Sequence, residues 1–279
     1  MCLFVANDWT AMIRKPAVSG RFYPADPDEL QNALNGFSDP VQTRSKVLGL
    51  VVPHAGYMYS GHVAGAVYSR IELPRRIIVL CPNHTGFGVP LSIMITGAWQ
   101  TPLGEIQIDE ELCTELMKKD PHLQHDIEAH RFEHALEVQL PFIQHRRGES
   151  VRFVPITLGT GNFDTLQELG RALAKVIQAV APDTLIIASS DMNHYESDAI
   201  TRVKDRKAID QILALNPEGL YDVVRREHIS MCGYGPAISM LTAAKLLGGS
   251  RAELVRYATS GDVSLDFDHV VGYAGITVS

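Results

Sequence analysis

Three histidines each lie in a short polar loop directly after a run of aliphatic residues: His54 after 47–52, His84 after 76–80, and His194 after 184–188. Such runs are typical of the buried strands of a parallel sheet. Because ligands of α/β proteins bind beyond the carboxyl ends of parallel strands, we expect the three imidazoles to converge there. Imidazole nitrogen is a common ligand of zinc, copper, iron and nickel, so the pattern indicates a metal or acid–base site.

Each of these histidines could instead be an ordinary hydrogen-bonded loop residue, because the chain has 11 histidines and chance placement is easy. Three histidines at the same topological position favour a shared site. Asp191 could orient His194 or hydrogen-bond a ligand. Tyr57 and Asn83 flank the first two histidines and are candidates to line the same site.

Cys232 stands just before a predicted helix, where the positive end of the helix dipole favours a thiolate. The alternative role for a lone cysteine is that of a small buried apolar residue, which we expect for Cys81 at the end of a strand. His134 and Glu137 are predicted to lie on one face of a helix. His134 is a further candidate to line the site, and Glu137 is expected to be a surface or structural residue.

Predicted strands and helices alternate along the chain and must position these residues. This alternation predicts an α/β fold. No linker or internal repeat interrupts it, so we expect a single domain over 1–279 with a largely parallel central sheet flanked by helices, and with 1–14 as a loosely attached N-terminal extension. Strands are predicted at 47–52, 76–80, 91–95, 151–156 and 184–188, and helices at 28–35, 61–69, 110–119, 165–180, 203–215 and 235–247. Two closing strands are expected at the end of the chain.

Composition limits the classes of partner. The chain is 46% hydrophobic with a net charge of −7, which disfavours binding to nucleic acid or to an anionic membrane. Its four cysteines form no CxxC pair, so a zinc ribbon is not predicted and a reducing compartment is indicated. Without a signal-like start or a run of about 18 apolar residues, we expect a cytoplasmic location.

Nine motifs in a fixed order, spread from Ala17 to Val278, resemble the Memo family, which is known in prokaryotes as AmmeMemoRadiSam system protein B. They are AVSGRFYPADPDEL, VVPHAGYMYSG, VLCPNHTG, TPLGEIQID, EHALEVQLPF, ASSDMNHY, MCGYGP, YATSGDV and VVGYAGI. The resemblance implies a fold similar to that of the class III extradiol dioxygenases, which hold non-haem Fe(II) with two histidines and a glutamate.

Carried over to this chain, the resemblance makes His54 and His84 metal ligands and His194 the acid–base residue. Cys232 falls where the dioxygenases have the glutamate. The resemblance makes iron the expected divalent metal, whereas the softer thiolate could favour zinc or copper instead. The implied function is redox or dioxygenase-like chemistry on a small substrate.

Two alternatives to an enzyme stay open. The first is a non-enzymatic binding or adaptor protein that uses a vestigial cleft for a peptide, a metabolite or a metal. The second is a site in which the histidines and the cysteine only hydrogen-bond one another. The family name also implies an AMMECR1-type protein and a radical SAM protein as partners.

Overall fold

The computed structural model describes residues 12–40 and 43–279, and one mixed sheet of 12 strands runs through them. The path through the sheet is β1-β5-β6-β8-β3-β9-β2-β12-β10, with β11 paired to β12, and β4 to β7 and β8. The strands are β1 Ile13–Arg14, β2 Gly49–Val52, β3 Arg76–Pro82, β4 Leu91–Ile93, β5 Ala98–Thr101, β6 Gly104–Ile108, β7 Gln124–His125, β8 Arg152–Leu158, β9 Thr184–Ser189, β10 His194–Glu196, β11 Ala252–Thr259 and β12 Val270–Val278.

Helices cover the sheet. They are α1 Pro27–Phe37, α2 Tyr57–Arg70, α3 Glu110–Lys119, α4 Glu128–Arg131, α5 Leu140–Arg147, α6 Phe163–Val180, α7 Asp198–Leu213, α8 Pro217–Arg226, α9 Tyr234–Leu246 and α10 Gly261–Ser264. Two 3₁₀ turns, Glu137–Gln139 and Gly148–Ser150, precede and follow α5. Among the described residues, no helix combines the length and the apolar character needed to cross a lipid bilayer.

The centre of the sheet is parallel: β6, β8, β3, β9 and β2 all run in one direction. Every residue of β2 and β9 is buried, because helices cover both faces of these strands. Two glycines of the sheet show which helix covers each of its faces. A Cβ on Gly49 would meet Met240 of α9, whereas one on Gly275 would meet Val67 of α2. Since side chains alternate along a strand and Gly49 pairs with Val278, α9 and α2 lie on opposite faces.

The predicted fold class, a single α/β domain with a largely parallel central sheet flanked by helices, is confirmed. Helix 110–119 is found with the predicted bounds, where Asp109 caps it by accepting from the N–H of Leu112. The two closing strands are found as β11 and β12, paired antiparallel. The strand predicted at 91–95 is shorter, Leu91–Ile93, and runs antiparallel to β8.

The predicted N-terminal extension 1–14 lies mostly outside the described residues. Its last two residues, Ile13 and Arg14, form β1 and pair with Ala98 and Trp99 of β5. Arg14 is buried and forms an ion pair with Glu137. The loose attachment expected for this stretch therefore does not apply to these two residues.

Candidate metal centre

The sheet topology brings the three predicted loops to one edge, and two of their histidines meet there. Strands β3, β9 and β2 are parallel neighbours, and His84 and His54 each follow their strand by two residues. The ring centroids of His54 and His84 are 5.3 Å apart, and the ring of His134 lies 5.5 Å from the first and 4.7 Å from the second. The site therefore contains a cluster of three imidazoles made of His54, His84 and His134.

The tautomer of His54 is set by a buried chain of hydrogen bonds. The hydroxyl of Ser189 donates its one proton to the carbonyl of Ala135 (2.6 Å) and accepts from Nε2 of Gln139 (2.8 Å). It can therefore only accept from Nδ1 of His54, 3.0 Å away, so Nδ1 carries the proton. Burial lowers the pKa of His54 well below its usual value. The imidazole is neutral, and the lone pair on Nε2 is available to a metal ion.

Glu133 fixes His84 in a similar way. Its carboxylate accepts from Nδ1 of His84 (2.9 Å) and from the backbone N–H groups of His84 and Ala135. Burial alone would raise the pKa of Glu133, but the hydrogen bond and charge of His84 lower it to about 2. Burial likewise opposes the charged form of His84, yet Glu133 outweighs it and raises the pKa of that imidazole. Nε2 of His84 is therefore the ring nitrogen that is available to a metal ion.

Cys232 lies directly against His54, with its Sγ 3.3 Å from Nε2 of that imidazole. One donor atom each from His54, His84 and Cys232 lie within 4.8 Å of one another. Two influences that the sequence did not show oppose the effect of the helix dipole on Cys232. Burial and the negative charge of Asp191 raise the pKa of the Cys232 thiol. Only a nearby cation would reverse this, as metal ions do for coordinating thiols.

Asp191 is buried and acts on His54 rather than on His194. Its Oδ1 accepts from the backbone N–H groups of His54 (2.8 Å) and Ala55 (3.3 Å), and its Oδ2 is 3.9 Å from Nε2 of His54. Burial raises its pKa despite these hydrogen bonds. No hydrogen bond joins Asp191 to His194 within the described part of the chain, so it holds the His54 loop instead of orienting the third histidine.

His194 is partly buried and is anchored by Ser230. The backbone N–H of His194 donates to Oγ of Ser230 (2.7 Å), and its Nδ1 lies 2.9 Å from the carbonyl oxygen of Ser230. Because a carbonyl can only accept, Nδ1 carries the proton and Nε2 is free to accept another. A positive charge on His194 is close enough to His54 to contribute to the lowered pKa of His54. His194 thus adjoins the imidazole cluster without being stacked on it.

The structure places the three predicted lining residues in different surroundings. His134 belongs to the imidazole cluster, and the ring of Phe22 packs edge-on against it at 4.8 Å. Tyr57 is buried among core aromatics and donates its hydroxyl to the carbonyl of Val138, so the structure does not place it as a lining residue. Asn83 uses its amide within its own loop, accepting from Thr85 and Gly86 and donating to the carbonyl of Phe87.

The predicted helical pair of His134 and Glu137 is wrong. His134 precedes a 3₁₀ turn that begins at Glu137, so the two side chains do not share an α-helical face. Glu137 is a buried structural residue rather than a surface one. Its carboxylate pairs with Arg14 and accepts from the hydroxyl of Tyr23 (2.6 Å), which ties the N-terminal segment to the layer behind the site.

Three residues of this site were not predicted from the sequence: Glu133, Ser189 and Gln139. Glu133 and Gln139 lie in the motif EHALEVQLPF, but their contacts with His84 and Ser189 span 49 and 50 positions of the chain. No spacing rule reports such contacts. Ser189 is the last residue of a fully buried strand, and a polar residue there is the one signal that pointed to a hydrogen-bonding role.

Comparisons with known proteins agree with this architecture. The family described as Memo-like protein matches residues 14–277. A MEMO1 family protein of Methanopyrus kandleri is 44% identical over 278 residues, covering 95% of this chain and 98% of its own. A MEMO1 family protein of Methanosarcina mazei is 45% identical over 267 residues, covering 95% and 99%.

Among solved structures, an uncharacterized protein of Escherichia coli K12 shares the fold. Its TM-score is 0.54 at 14% identity, and the match covers 83% of this chain and 99% of that one. At this identity the likeness supports the fold alone. Fold and site together define a single-domain α/β protein with a cluster of histidines at the carboxyl ends of parallel strands. By the family match and the identity to its relatives, the chain belongs to the Memo family.

Proposed function

We propose that His54, His84 and Cys232 bind one divalent metal ion, with iron as the first expectation and zinc or copper as alternatives. The observation that carries the proposal is that donor atoms of these three residues lie within 4.8 Å of one another. The donor set fits a metal because Nδ1 of each histidine donates a hydrogen bond, to Ser189 or to Glu133, and Nε2 is left available. Such outer hydrogen bonds are how proteins orient metal-bound imidazoles.

The proposed activity is redox or dioxygenase-like chemistry on a small substrate. A bound redox metal would supply the electron transfer or oxygen activation. The chain itself would supply the proton movement: Nε2 of His194 is positioned to accept a proton from a substrate hydroxyl while Nδ1 stays bound to Ser230. His134 and Phe22 would form part of the wall against which the substrate packs.

The test is oxygen uptake by the iron-loaded protein, prepared without oxygen, with a panel of catechols and related planar substrates. We expect uptake by the wild type. We expect the His194→Ala variant to lose it while retaining the metal, because His194 is not one of the proposed ligands. If no substrate in a broad panel gives uptake by iron-loaded protein, dioxygenase-like chemistry is refuted, whereas the metal site is tested separately by metal content.

A binding or adaptor function is the second candidate, and one observation favours it. Large apolar side chains stand exposed within four positions of the site residues: Met58, Phe87, Phe132 and Tyr195, with exposed fractions of 64%, 55%, 56% and 75%. Contiguous exposed apolar surface is typical of interaction sites. An adaptor would lose partner affinity on Phe87→Ser and Phe132→Ser and be indifferent to His194→Ala, which is the reverse of the enzyme's expected response.

The partner class and the location are likewise proposals. The family resemblance points to an AMMECR1-type protein and a radical SAM protein, and the four apolar residues above would offer the contact surface. Co-purification with and without the two serine substitutions tests this. Cys81, Cys113 and Cys232 are free thiols in the described part of the chain, which favours a reducing compartment and hence the cytoplasm.

A further inference from the structure

A cavity lies at the edge of the sheet opposite the candidate metal centre. It has a volume of about 880 Å³ and is lined by residues that precede the central strands, among them Val47 and Leu48 before β2, Pro74 before β3, and Thr184 at the start of β9. Because the histidine loops follow the carboxyl ends of the same strands, the lengths of β2, β3 and β9 separate the two sites. Ligand pockets typically have volumes of about 300–1,000 Å³.

Basic side chains dominate the polar lining of this cavity. They are Arg44, Lys46, Arg146 and Arg147, set against the two acidic residues Glu72 and Asp183. Lys46 and Asp183 form a loose pair at 3.9 Å, and both are exposed. Among the side chains that the structure describes, which do not include that of Glu149, no Asp or Glu carboxylate lies within 4.0 Å of the three arginines. Three guanidinium groups thus border one cavity.

Two of these arginines come from different segments and repel each other. Burial and then the charge of Arg44 lower the pKa of Arg146. Arg146 and Arg147 lie in the last turn of α5, where the negative end of the helix dipole favours basic side chains. This dipole does not explain why Arg44, held by a hydrogen bond from Nε to the carbonyl of Ser69 (3.4 Å), lines the same cavity. An anion between these groups would relieve the repulsion.

Apart from Thr184 and Ser279, the rest of the wall is apolar. It is formed by Val47, Leu48, Ile71, Leu73, Pro74 and Pro182. A ligand that fills the cavity therefore needs an anionic group for the arginines and an apolar body for this wall. Guanidinium groups bind phosphate oxygens in pairs with matching geometry, which makes phosphate the best-fitting anion.

We propose that this cavity binds a phosphate-bearing small molecule, with the phosphate between Arg44 and Arg146 and the body of the ligand against the apolar wall. The site is independent of the proposed metal centre, and nothing in its lining is shared with the histidine cluster. The full chain can be tested without metal, so failure here would leave the proposed function untouched.

The test is equilibrium dialysis of the full chain in excess EDTA against radiolabelled pyrophosphate and ADP. We expect Kd values below about 1 mM for the wild type, with ADP bound more tightly because its nucleoside can cover the apolar wall. Since a charge-assisted hydrogen bond contributes about 1.5–3 kcal/mol, Arg44→Gln and Arg146→Gln should each weaken binding about tenfold or more. Arg206→Gln on α7 removes the same charge far from the cavity and should leave binding unchanged.

Circular dichroism and metal content accompany each variant, so that a loss of binding is not mistaken for unfolding. Absence of binding of both probes to the wild type would overturn the proposal, as would wild-type affinity in the Arg44→Gln, Arg146→Gln double variant. Equal loss in the Arg206→Gln control would show that general charge, and not this cavity, attracts the probes. Equal affinity for pyrophosphate and ADP would overturn the role of the apolar wall.

Discussion

Replacing Glu133 by glutamine tests the hydrogen bonds that hold His84 in place. Glu133 is fully buried and accepts from Nδ1 of His84 and from the backbone N–H groups of His84 and Ala135. Glutamine has nearly the same shape but offers one oxygen instead of two, and its amide group is itself a donor. It can therefore satisfy at most two of the three N–H groups.

The expected magnitude follows from this count. One unsatisfied buried donor costs about 1–3 kcal/mol in the free energy of unfolding. Mutation of a residue that hydrogen-bonds a metal-binding histidine costs about 10–100-fold in metal affinity, and glutamine is a weaker acceptor than a carboxylate. We therefore expect Glu133→Gln to fold with reduced stability and to bind metal at least about tenfold more weakly than the wild type.

The assay is a Co²⁺ titration of metal-free protein in competition with a chelator, followed through the absorbance of the thiolate–cobalt bond. Urea unfolding of the same samples gives the stability. Glu128→Gln on α4 is the matched control, because Glu128 is nearby in sequence and exposed, and its loss should change neither quantity. If Glu133→Gln binds Co²⁺ as tightly as the wild type, the role we assign to Glu133 is refuted.

Two further predictions concern buried polar groups. Ser189→Ala removes the acceptor for Nδ1 of His54, so we expect a loss of about 1–3 kcal/mol in unfolding free energy and weaker Co²⁺ binding. If urea unfolding and the Co²⁺ titration both give wild-type values, the tautomer assigned to His54 is contradicted. Burial raises the pKa of Asp205 from 3.8 to about 7, so the folded state holds its proton more tightly than the unfolded state. The stability from Asp205 should be complete below about pH 4 and lost as the pH rises to about 7, by up to about 4 kcal/mol. Urea unfolding at several pH values should show a flatter profile for Asp205→Asn, and an unchanged slope would contradict this.

The sequence predicted those parts of the fold in which hydrophobic pattern and burial agree. The runs at 76–80 and 184–188 were recognised as strands because both faces of β3 and β9 are covered, so that every residue of the two runs except Arg76 is aliphatic or small. The hairpin of β5 and β6 was missed because its strands, AWQT and GEIQI, carry few aliphatic residues. Helix α8 was also missed, although Asn216 caps it and Pro217 opens it, which are ordinary start signals.

In the candidate site, the sequence could place those residues that directly follow the ends of parallel strands. His54 and His84 could be placed together because parallel strands end at one edge. The balance of forces on Cys232 could not be foreseen, since burial and the charge of Asp191 depend on contacts across 41 positions. Tyr57 was misplaced because the sequence does not show which way the first turn of α2 faces, and its ring points into the core.

The most direct test of the proposed metal centre is the metal content of protein purified without oxygen or chelators, measured by elemental mass spectrometry. The wild type is compared with His54→Ala, Cys232→Ser and, as a control outside the ligand set, His62→Ala. We expect close to one metal ion per chain in the wild type and the control, and loss of that ion in the two ligand variants. A wild type that holds no metal even after reconstitution, or ligand variants that keep it, would contradict the proposed site.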